Sequence, residues 1–283
     1  MIYLYAHTGR EHGLDSLRRV AAIYEKLSEK GLEAEILLND FRAQRVGMDM
    51  GLPPAIPIES IKDIDAVAKR GNSVVIDSPE DDGGRLEKFV SDFSTVVRVA
   101  TASGDAPKYG EIVLDPLEID GRYGMWQFRE LKLPEVEANG RVLLYYGDSD
   151  PDLYLLENAR NLAFDSVEAI FGEYFYVKYE DSYGEFFGTM HESSEYETLL
   201  SQGYALMSAS VQIALEAALN GVRTLYLERE ESTPEIRRAL ELCGASRASI
   251  EDSEAIGTFI EDSARKRTGE RKIKSSDIYH LFV

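Results

Sequence analysis

Apolar and polar positions fall in short blocks along this chain, and the period switches repeatedly between strand-like and helix-like. Ile2-Tyr3-Leu4-Tyr5-Ala6 is a brief apolar run of the kind that fills a buried strand. Residues 16–30 take the helical period, with Leu17, Val20, Ala21, Ile23, Tyr24 and Leu27 on one side and Gly31 as the stop. Strands are then predicted at 33–38, 73–77, 95–100 and 111–114, and helices at 61–70 and 85–93. The intervening residues 41–58 are richer in Gly and Pro and read as a loop or irregular segment.

The second half repeats this logic. Strands are predicted at 142–146, 169–171, 204–207, 223–227 and 246–249, and helices at 152–163, 195–201, 211–220, 233–242 and 253–265. Residues 174–190, dense in Tyr, Phe and Gly, read as short strands. The tail turns basic and then apolar, so it is expected to pack down.

Alternating strands and helices imply an α/β protein with mostly parallel sheets covered on both faces. Two such halves predict two doubly wound, Rossmann-like domains facing a cleft. The first is expected over 1–120, a connection over 121–140, the second domain over 141–265, and a tail packing back over 266–283.

Composition narrows the functional classes. The 283 residues are 44% hydrophobic, enough for a sizeable core. No apolar run approaches a membrane span, and the first residues already form a strand pattern rather than a signal peptide. A single cysteine, Cys243, forbids an internal disulfide framework, and a cytoplasmic location is the default expectation. The net charge of −20 argues against a nucleic-acid partner, because a phosphate backbone needs a basic groove.

Chemistry concentrates where strands meet helices. Gly147-Asp148-Ser149-Asp150-Pro151 follows an apolar run and suits a strand turning into a helix. Such a helix start can hold a phosphate, or it can be an ordinary turn. The loop after the first strand carries His7, Arg10, His12, Gly13, Asp15, Ser16 and Arg19, at the edge where open α/β sheets bind ligands. Asp15 or Ser16 can equally cap the helix that follows. Ser208-Ala209-Ser210-Val211-Gln212 enters a further helix, and Glu216 lies a turn or more beyond. A carboxylate there can accept both hydroxyls of a ribose, or it can face solvent. Asp77 ends a buried strand and either points at a ligand or caps the next turn. Glu80-Asp81-Asp82-Gly83-Gly84 reads as a solvated turn, too short for a calcium loop. No His/Cys spacing indicates zinc, no Walker motif or nucleophile elbow is present, and no cofactor is expected.

These residues together resemble the nucleotide-sugar hydrolase of pseudaminic acid biosynthesis and its spore-coat polysaccharide relatives, within the glycosyltransferase-B (GT-B) superfamily. The family's Gly-x-Gly-His-x-x-Arg loop aligns with Gly13-Leu14-Asp15-Ser16-Leu17-Arg18-Arg19, where Gly13 and Arg19 match and Ser16 stands at the catalytic histidine. Asp77-Ser78-Pro79 resembles the aspartate motif after the family's third strand, without its tyrosine. Leu114-Asp115-Pro116 and Gly121-Arg122-Tyr123 resemble the end of its first domain. Gly147–Pro151 is similar to Gly-Gly-Ser-Asp-Pro, one glycine short. Ser208–Glu216 resembles Ser-Ala-Gly-Gly-Ser-Thr-x-x-Glu, with Ser208, Ala209 and Glu216 matching and Ser210-Val211 replacing the double glycine. Residues 217–225 match the following Ala-x-x-Leu-Gly-Val-Pro-Thr-Leu stretch well.

The resemblance implies a UDP-sugar hydrolase or transferase of cell-surface polysaccharide or nonulosonate biosynthesis. Glu216 would hold the ribose, and the 147–151 and 208–212 loops the diphosphate. His12 or His7 would act as base, and Arg10 or Arg19 would offset leaving-group charge. The changed chemistry positions also fit a second reading, a glycosyltransferase-like binding or accessory protein that has lost catalysis. Neither reading fixes the sugar, the acceptor or the oligomeric state.

Overall fold

The computed structural model describes residues 1–263, 272 and 276–283. The chain divides into two units, Met1–Arg129 with Lys274–Val283, and Glu130–Ile273.

Unit 1 runs β1 (Ile2–Ala6), α1 (Asp15–Glu29), β2 (Ala34–Leu38), α2 (Phe41–Asp49), β3 (Ile56–Pro57), α3 (Ile64–Val67), β4 (Ser73–Asp77), α4 (Arg85–Asp92), β5 (Thr95–Val99) and β6 (Ile112–Leu114). Its six strands are parallel, in the order β3-β2-β1-β4-β5-β6. Ala6 lies beside Leu38 on one flank and Asp77 on the other, so three loops leave the sheet at the same edge. Tyr5, Leu37, Val74, Ile76, Leu86 and Phe89 build a core on one face of the sheet. On α1 the predicted apolar side is buried, Leu17, Val20, Ala21, Ile23 and Leu27 included. Gly31 takes φ +71° just past its end, where the Leu32 N–H reaches the Leu27 carbonyl at 3.0 Å.

Several local expectations are corrected here. Neither Asp15 nor Ser16 caps α1: the helix begins at Asp15 and no side chain caps it. The stretch 41–58 is not wholly irregular, because α2 occupies its first half. Asp40 caps that helix at the Arg42 N–H, 2.7 Å away, and Ala43, Val46 and Gly47 face inward. Gly47 does not break the helix; a side-chain Cβ there would sit 3.3 Å from Leu52 Cδ1, so glycine permits close packing. The helix expected over 61–70 is shorter, a 3-10 turn over Ile61–Asp63 leading into α3.

Unit 2 runs β7 (Val142–Leu144), α5 (Tyr154–Asn158), β8 (Val167–Phe171), α6 (Glu180–Gly184), β9 (Met190–Glu192), α7 (Tyr196–Ser201), β10 (Ala205–Ser208), α8 (Val211–Leu219), β11 (Thr224–Glu228), α9 (Pro234–Cys243), β12 (Ser246–Ser249) and α10 (Ser253–Ser263). Its sheet has the order β12-β11-β10-β7-β8-β9, again all parallel. Read from its other end, that is the strand order of unit 1. Both units are therefore doubly wound and Rossmann-like. Helix α8 is buried from Gln212 to Leu219 and forms the centre of this half.

The aromatic stretch 174–190 does not form several short strands. It holds a 3-10 turn (Val177–Tyr179) and α6, with only Met190 entering β9. Phe171, Phe175 and Tyr183 pack with ring centroids 5.0–5.9 Å apart, so burial rather than strand pairing places these rings. The helix expected over 152–163 is only α5 followed by a 3-10 turn (Ala159–Asn161).

The final residues return to unit 1. Ser276 donates to the Tyr123 carbonyl at 2.6 Å, Thr95 donates to the Leu281 carbonyl at 3.4 Å, and Ile278 is fully buried. The basic start of the expected tail, 266–271, and the last two residues of the helix expected over 253–265 lie outside the described residues. Among the described residues no helix is long and apolar enough to cross a membrane.

Candidate functional site

In a doubly wound sheet the strand order reverses between two neighbouring central strands, and the loops there diverge to leave a crevice. In unit 1 that point lies between β1 and β4, and both carry polar residues at their carboxyl ends.

The loop after β1 is tightly held. The Thr8 N–H donates to Asn39 Oδ1 at 2.8 Å, and Asn39 Nδ2 donates back to the Thr8 carbonyl at 2.9 Å. Gly9 and Gly13 close a small ring, the Gly13 N–H donating to the Gly9 carbonyl at 2.7 Å, with φ of +150° and +66°. Those backbone angles suit glycine. The ring brings His12, exposed, edge-on to His7 with ring centroids 5.0 Å apart. Arg10 lies in the same ring, half-buried.

Two separate clusters form at this edge. In the first, Ser16 and Arg19 from the start of α1 meet Asp77 from the end of β4. The Ser16 hydroxyl donates to Asp77 Oδ1 at 2.9 Å, and Arg19 grips both carboxylate oxygens, Nε at 2.6 Å and Nη2 at 2.9 Å. Burial opposes the charge on Arg19, but Asp77 outweighs it and holds the guanidinium above its ordinary pKa. Both Asp77 oxygens are thus engaged by Arg19, and the Ser16 hydroxyl is a donor to the same pair.

The second cluster centres on Glu80. One oxygen, Oε2, receives the Tyr5 hydroxyl at 2.6 Å, the Ser78 hydroxyl at 2.9 Å and the Ile61 N–H at 3.1 Å. His7 Nδ1 stands 3.2 Å from the same oxygen. Burial, reinforced by Glu80, pushes the Tyr5 phenol well above its usual range, so it remains a donor. Glu80 is thus no solvated turn residue, which corrects the reading of the 80–84 run. It is the candidate-site residue that the sequence does not single out, and its one visible signal is its place three residues past the end of β4.

In unit 2 the reversal lies between β7 and β10. The Ala209 and Ser210 N–H groups both donate to the Tyr146 carbonyl, at 2.9 and 3.1 Å. Ser210 caps α8 at the Ile213 N–H, 3.1 Å away, and its own N–H also reaches Ser208 Oγ at 3.2 Å. Val211 is the first helical residue, half-buried, and Gln212 is buried. Glu216 is buried too, not solvated, and carries an interaction of its own.

The 147–151 loop differs from the expected helix start. Asp150, not an outside anion, occupies the N-terminus of α5, accepting from the Leu155 N–H at 3.1 Å and from the Tyr183 hydroxyl at 2.6 Å. Burial raises its pKa despite those bonds. Asp148 accepts from the Tyr145 hydroxyl at 2.7 Å. The Ser149 and Tyr146 hydroxyl oxygens are buried without a hydrogen-bond partner. A Cβ on Gly147 would meet nothing within 4 Å, so that position borders open space. Gly172, after β8, is the sterically demanding glycine, since a Cβ there would lie 2.5 Å from the Gly147 carbonyl oxygen. Arg229, after β11, pairs with Asp152 and stacks on Tyr154 with 4.6 Å to the ring centroid. Among the described residues no group of three or more His, Cys, Asp or Glu side chains is placed to hold a metal ion.

No protein-family profile matches the chain, and no curated protein matches it in sequence. Solved structures do match over nearly its whole length. MnaA from S. aureus, solved with UDP, aligns with 99% of this chain and 93% of its own at 11% identity and a TM-score of 0.57. UDP-GlcNAc 2-epimerase from Neisseria meningitidis, bound to UDP-GlcNAc, aligns with 96% and 95% at 10% identity and 0.56. The spinosyn rhamnosyltransferase SpnG, complexed with thymidine diphosphate, aligns with 93% and 94% at 14% identity and 0.52. At such identities the likeness is one of fold: two Rossmann-like units in a GT-B-like fold.

Proposed function

We propose that the protein binds a nucleotide-sugar, a UDP-sugar first among them, and transfers the sugar to water or to a hydroxyl acceptor. The observation that carries this reading is the switch point of unit 2. There Gly147 borders open space beside the unpartnered Ser149 and Tyr146 hydroxyls and the start of α8. The structural neighbours with UDP, UDP-GlcNAc or thymidine diphosphate bound support it by analogy of fold. In this reading the diphosphate lies along residues 147–149 and the first turn of α8, and Glu216 serves the ribose. In unit 1, His7, with His12 beside it, is the candidate base.

The finer assignment follows the sequence resemblance. The chain would be a divergent relative of the UDP-sugar hydrolase of pseudaminic acid biosynthesis and of the spore-coat polysaccharide proteins, with His7 in place of the histidine missing at Ser16. One observation favours a second reading. Ser16, Asp77 and Arg19 form a closed ion-pair cluster where that family keeps catalytic residues, which suits a binding or accessory protein.

Calorimetric titration with UDP and with UDP-GlcNAc tests the main reading, on the wild-type protein and on Gly147→Val. A Cβ at this position meets nothing within 4 Å, so the variant is expected to fold while its side chain obstructs the ligand. Micromolar binding to the wild type, weakened at least tenfold in the variant, is the expected result. No binding of either compound at millimolar concentration would overturn it and leave the accessory-protein reading.

A further inference from the structure

A buried hydroxyl left unpaired lowers stability, so its presence calls for a partner. Among the described residues, the hydroxyls of Tyr146 and Ser149 at the carboxyl edge of unit 2 are in that state. Tyr146 is 3% exposed, and burial pushes its phenol above the usual range against the opposing charge of Arg229, so it stays a donor. Alternation along the strands brings these two residues to one face. Tyr146, Met207, Leu225 and Leu227 share a core, and Ala209 packs against it. Arg229, two residues beyond Leu227, continues that face just past β11. In the strand order β11-β10-β7 it reaches across β10 to pair with Asp152, which follows β7. Its guanidinium lies 4.6 Å from the Tyr154 ring centroid. The side chain between Tyr146 and Arg229, at the end of β10, is the methyl group of Ala209.

We infer that the Tyr146 hydroxyl and the Arg229 guanidinium together hold the diphosphate of the ligand, with Asp152 as the internal anion that occupies Arg229 until the ligand displaces it. The inference rests on the nucleotide reading and deepens it, since Tyr146, Asp152 and Arg229 lie outside every motif of the family resemblance. Its chemistry follows from the donors that remain. A glycine-rich loop offers backbone amides to a phosphate. Here the Ala209 and Ser210 amides are committed to the Tyr146 carbonyl, so side chains must supply donors and charge. The planar fork of an arginine fits a carboxylate or a phosphate in the same two-point manner. Asp152 therefore stands where phosphate oxygens would. The Arg229 and Asp152 side chains are 41% and 53% exposed, and a pair so open to water contributes little to stability. Exchanging one anion for another is then cheap, and the diphosphate gains the Tyr146 hydroxyl as well. Asp150, the other carboxylate acting on Tyr146, is turned to the Leu155 N–H and the Tyr183 hydroxyl. Ser149 offers a further donor, beside the open side of Gly147.

The test is calorimetric titration of the full chain with UDP, uridine and inorganic pyrophosphate, together with the melting temperature of each ligand-free variant. Tyr146→Phe removes only the unpaired oxygen, so the free protein should melt at the same temperature or higher. Its UDP affinity should fall about tenfold, as loss of a hydrogen bond to a charged group implies. Arg229→Gln should weaken UDP by at least about tenfold for the same reason. Asp152→Asn removes the resident anion and should tighten UDP by about two- to fivefold, the range of an exposed ion pair. Uridine, which lacks phosphate, should respond to none of the three. A lower melting temperature in Tyr146→Phe would mark its hydroxyl as structural and overturn the inference. So would unchanged UDP affinity in both Tyr146→Phe and Arg229→Gln, or weaker binding in Asp152→Asn, and these results leave the nucleotide reading standing. Pyrophosphate binding with the same ranking of variants, but no added affinity for UDP, would keep this anion site and sink the nucleotide reading. Binding of neither compound at millimolar concentration overturns both.

Discussion

Replacing Asp77 with alanine tests the strongest electrostatic feature of unit 1. The Asp77 side chain is 5% exposed and that of Arg19 14%, so neither partner can turn to water when the other is lost. The carboxylate receives one hydroxyl and two guanidinium donors within 2.9 Å. Charge-assisted bonds of this kind contribute about 1.5–3 kcal/mol each in isolation, but they are not additive. The governing quantity is the unpaired charge left behind, and removing one partner of a buried pair costs about 3–5 kcal/mol. Asp77→Ala is therefore expected to lose that amount, roughly 10–20 °C in Tm for a unit of this size. The double variant Asp77→Ala/Arg19→Met removes both charges and should recover at least ~2 kcal/mol of the loss. The chain has a single tryptophan, Trp126, buried within unit 1, so its fluorescence during urea titration follows this unit alone. A single-variant loss below ~1 kcal/mol, or a double variant no more stable than the single, would refute the argument.

Two further outcomes are expected. Gly172→Ala drives a Cβ to 2.5 Å from the Gly147 carbonyl oxygen and 2.7 Å from the Asp148 backbone, and should cost about 1–3 kcal/mol, whereas Gly147→Ala should leave stability unchanged; calorimetric melting compares them, and equal effects would contradict the packing described. Asp65 is held below the ordinary carboxylate range first by Lys88, and Asp105 first by Arg98, so the unfolded chain binds more protons as pH falls through about 4. That stability is present above the unfolded pKa of about 3.9 and is lost below it; Trp126-monitored urea midpoints at pH 5 and pH 3 should differ less in Arg98→Met than in the wild type, and an unchanged difference would count against it.

Much of the fold was legible because the pattern that forms it is local. The runs 2–6 and 73–77 are bounded by polar loops and buried on both faces, and periodicity alone marks such strands. Helix α8 was legible for the same reason, as an apolar block without turn residues. Helix α2 was not, because Gly47 reads as a breaker until its contact with Leu52 is seen. The aromatic stretch after β8 failed similarly, since ring packing and not period sets its course. At the candidate site the sequence singled out Ser16, Arg19 and Asp77 but not their union, which exists only because β1 and β4 are neighbours. Glu80 stayed hidden because its partners are 75 and 19 residues away, and an acidic run looks solvated from its composition.

The return of the last residues to unit 1 makes unit 2 an insertion within it, and this bears on how the chain matures on the ribosome. All six strands of the first sheet are synthesised before unit 2 begins, so that sheet can assemble early. Ile278 and the bonds from Ser276 and to Leu281 arrive only after unit 2 has been made. At about 5–20 residues per second, the nascent sheet waits on the order of ten to thirty seconds without its final covering. During that interval the uncovered side of unit 1 is the surface a chaperone would meet.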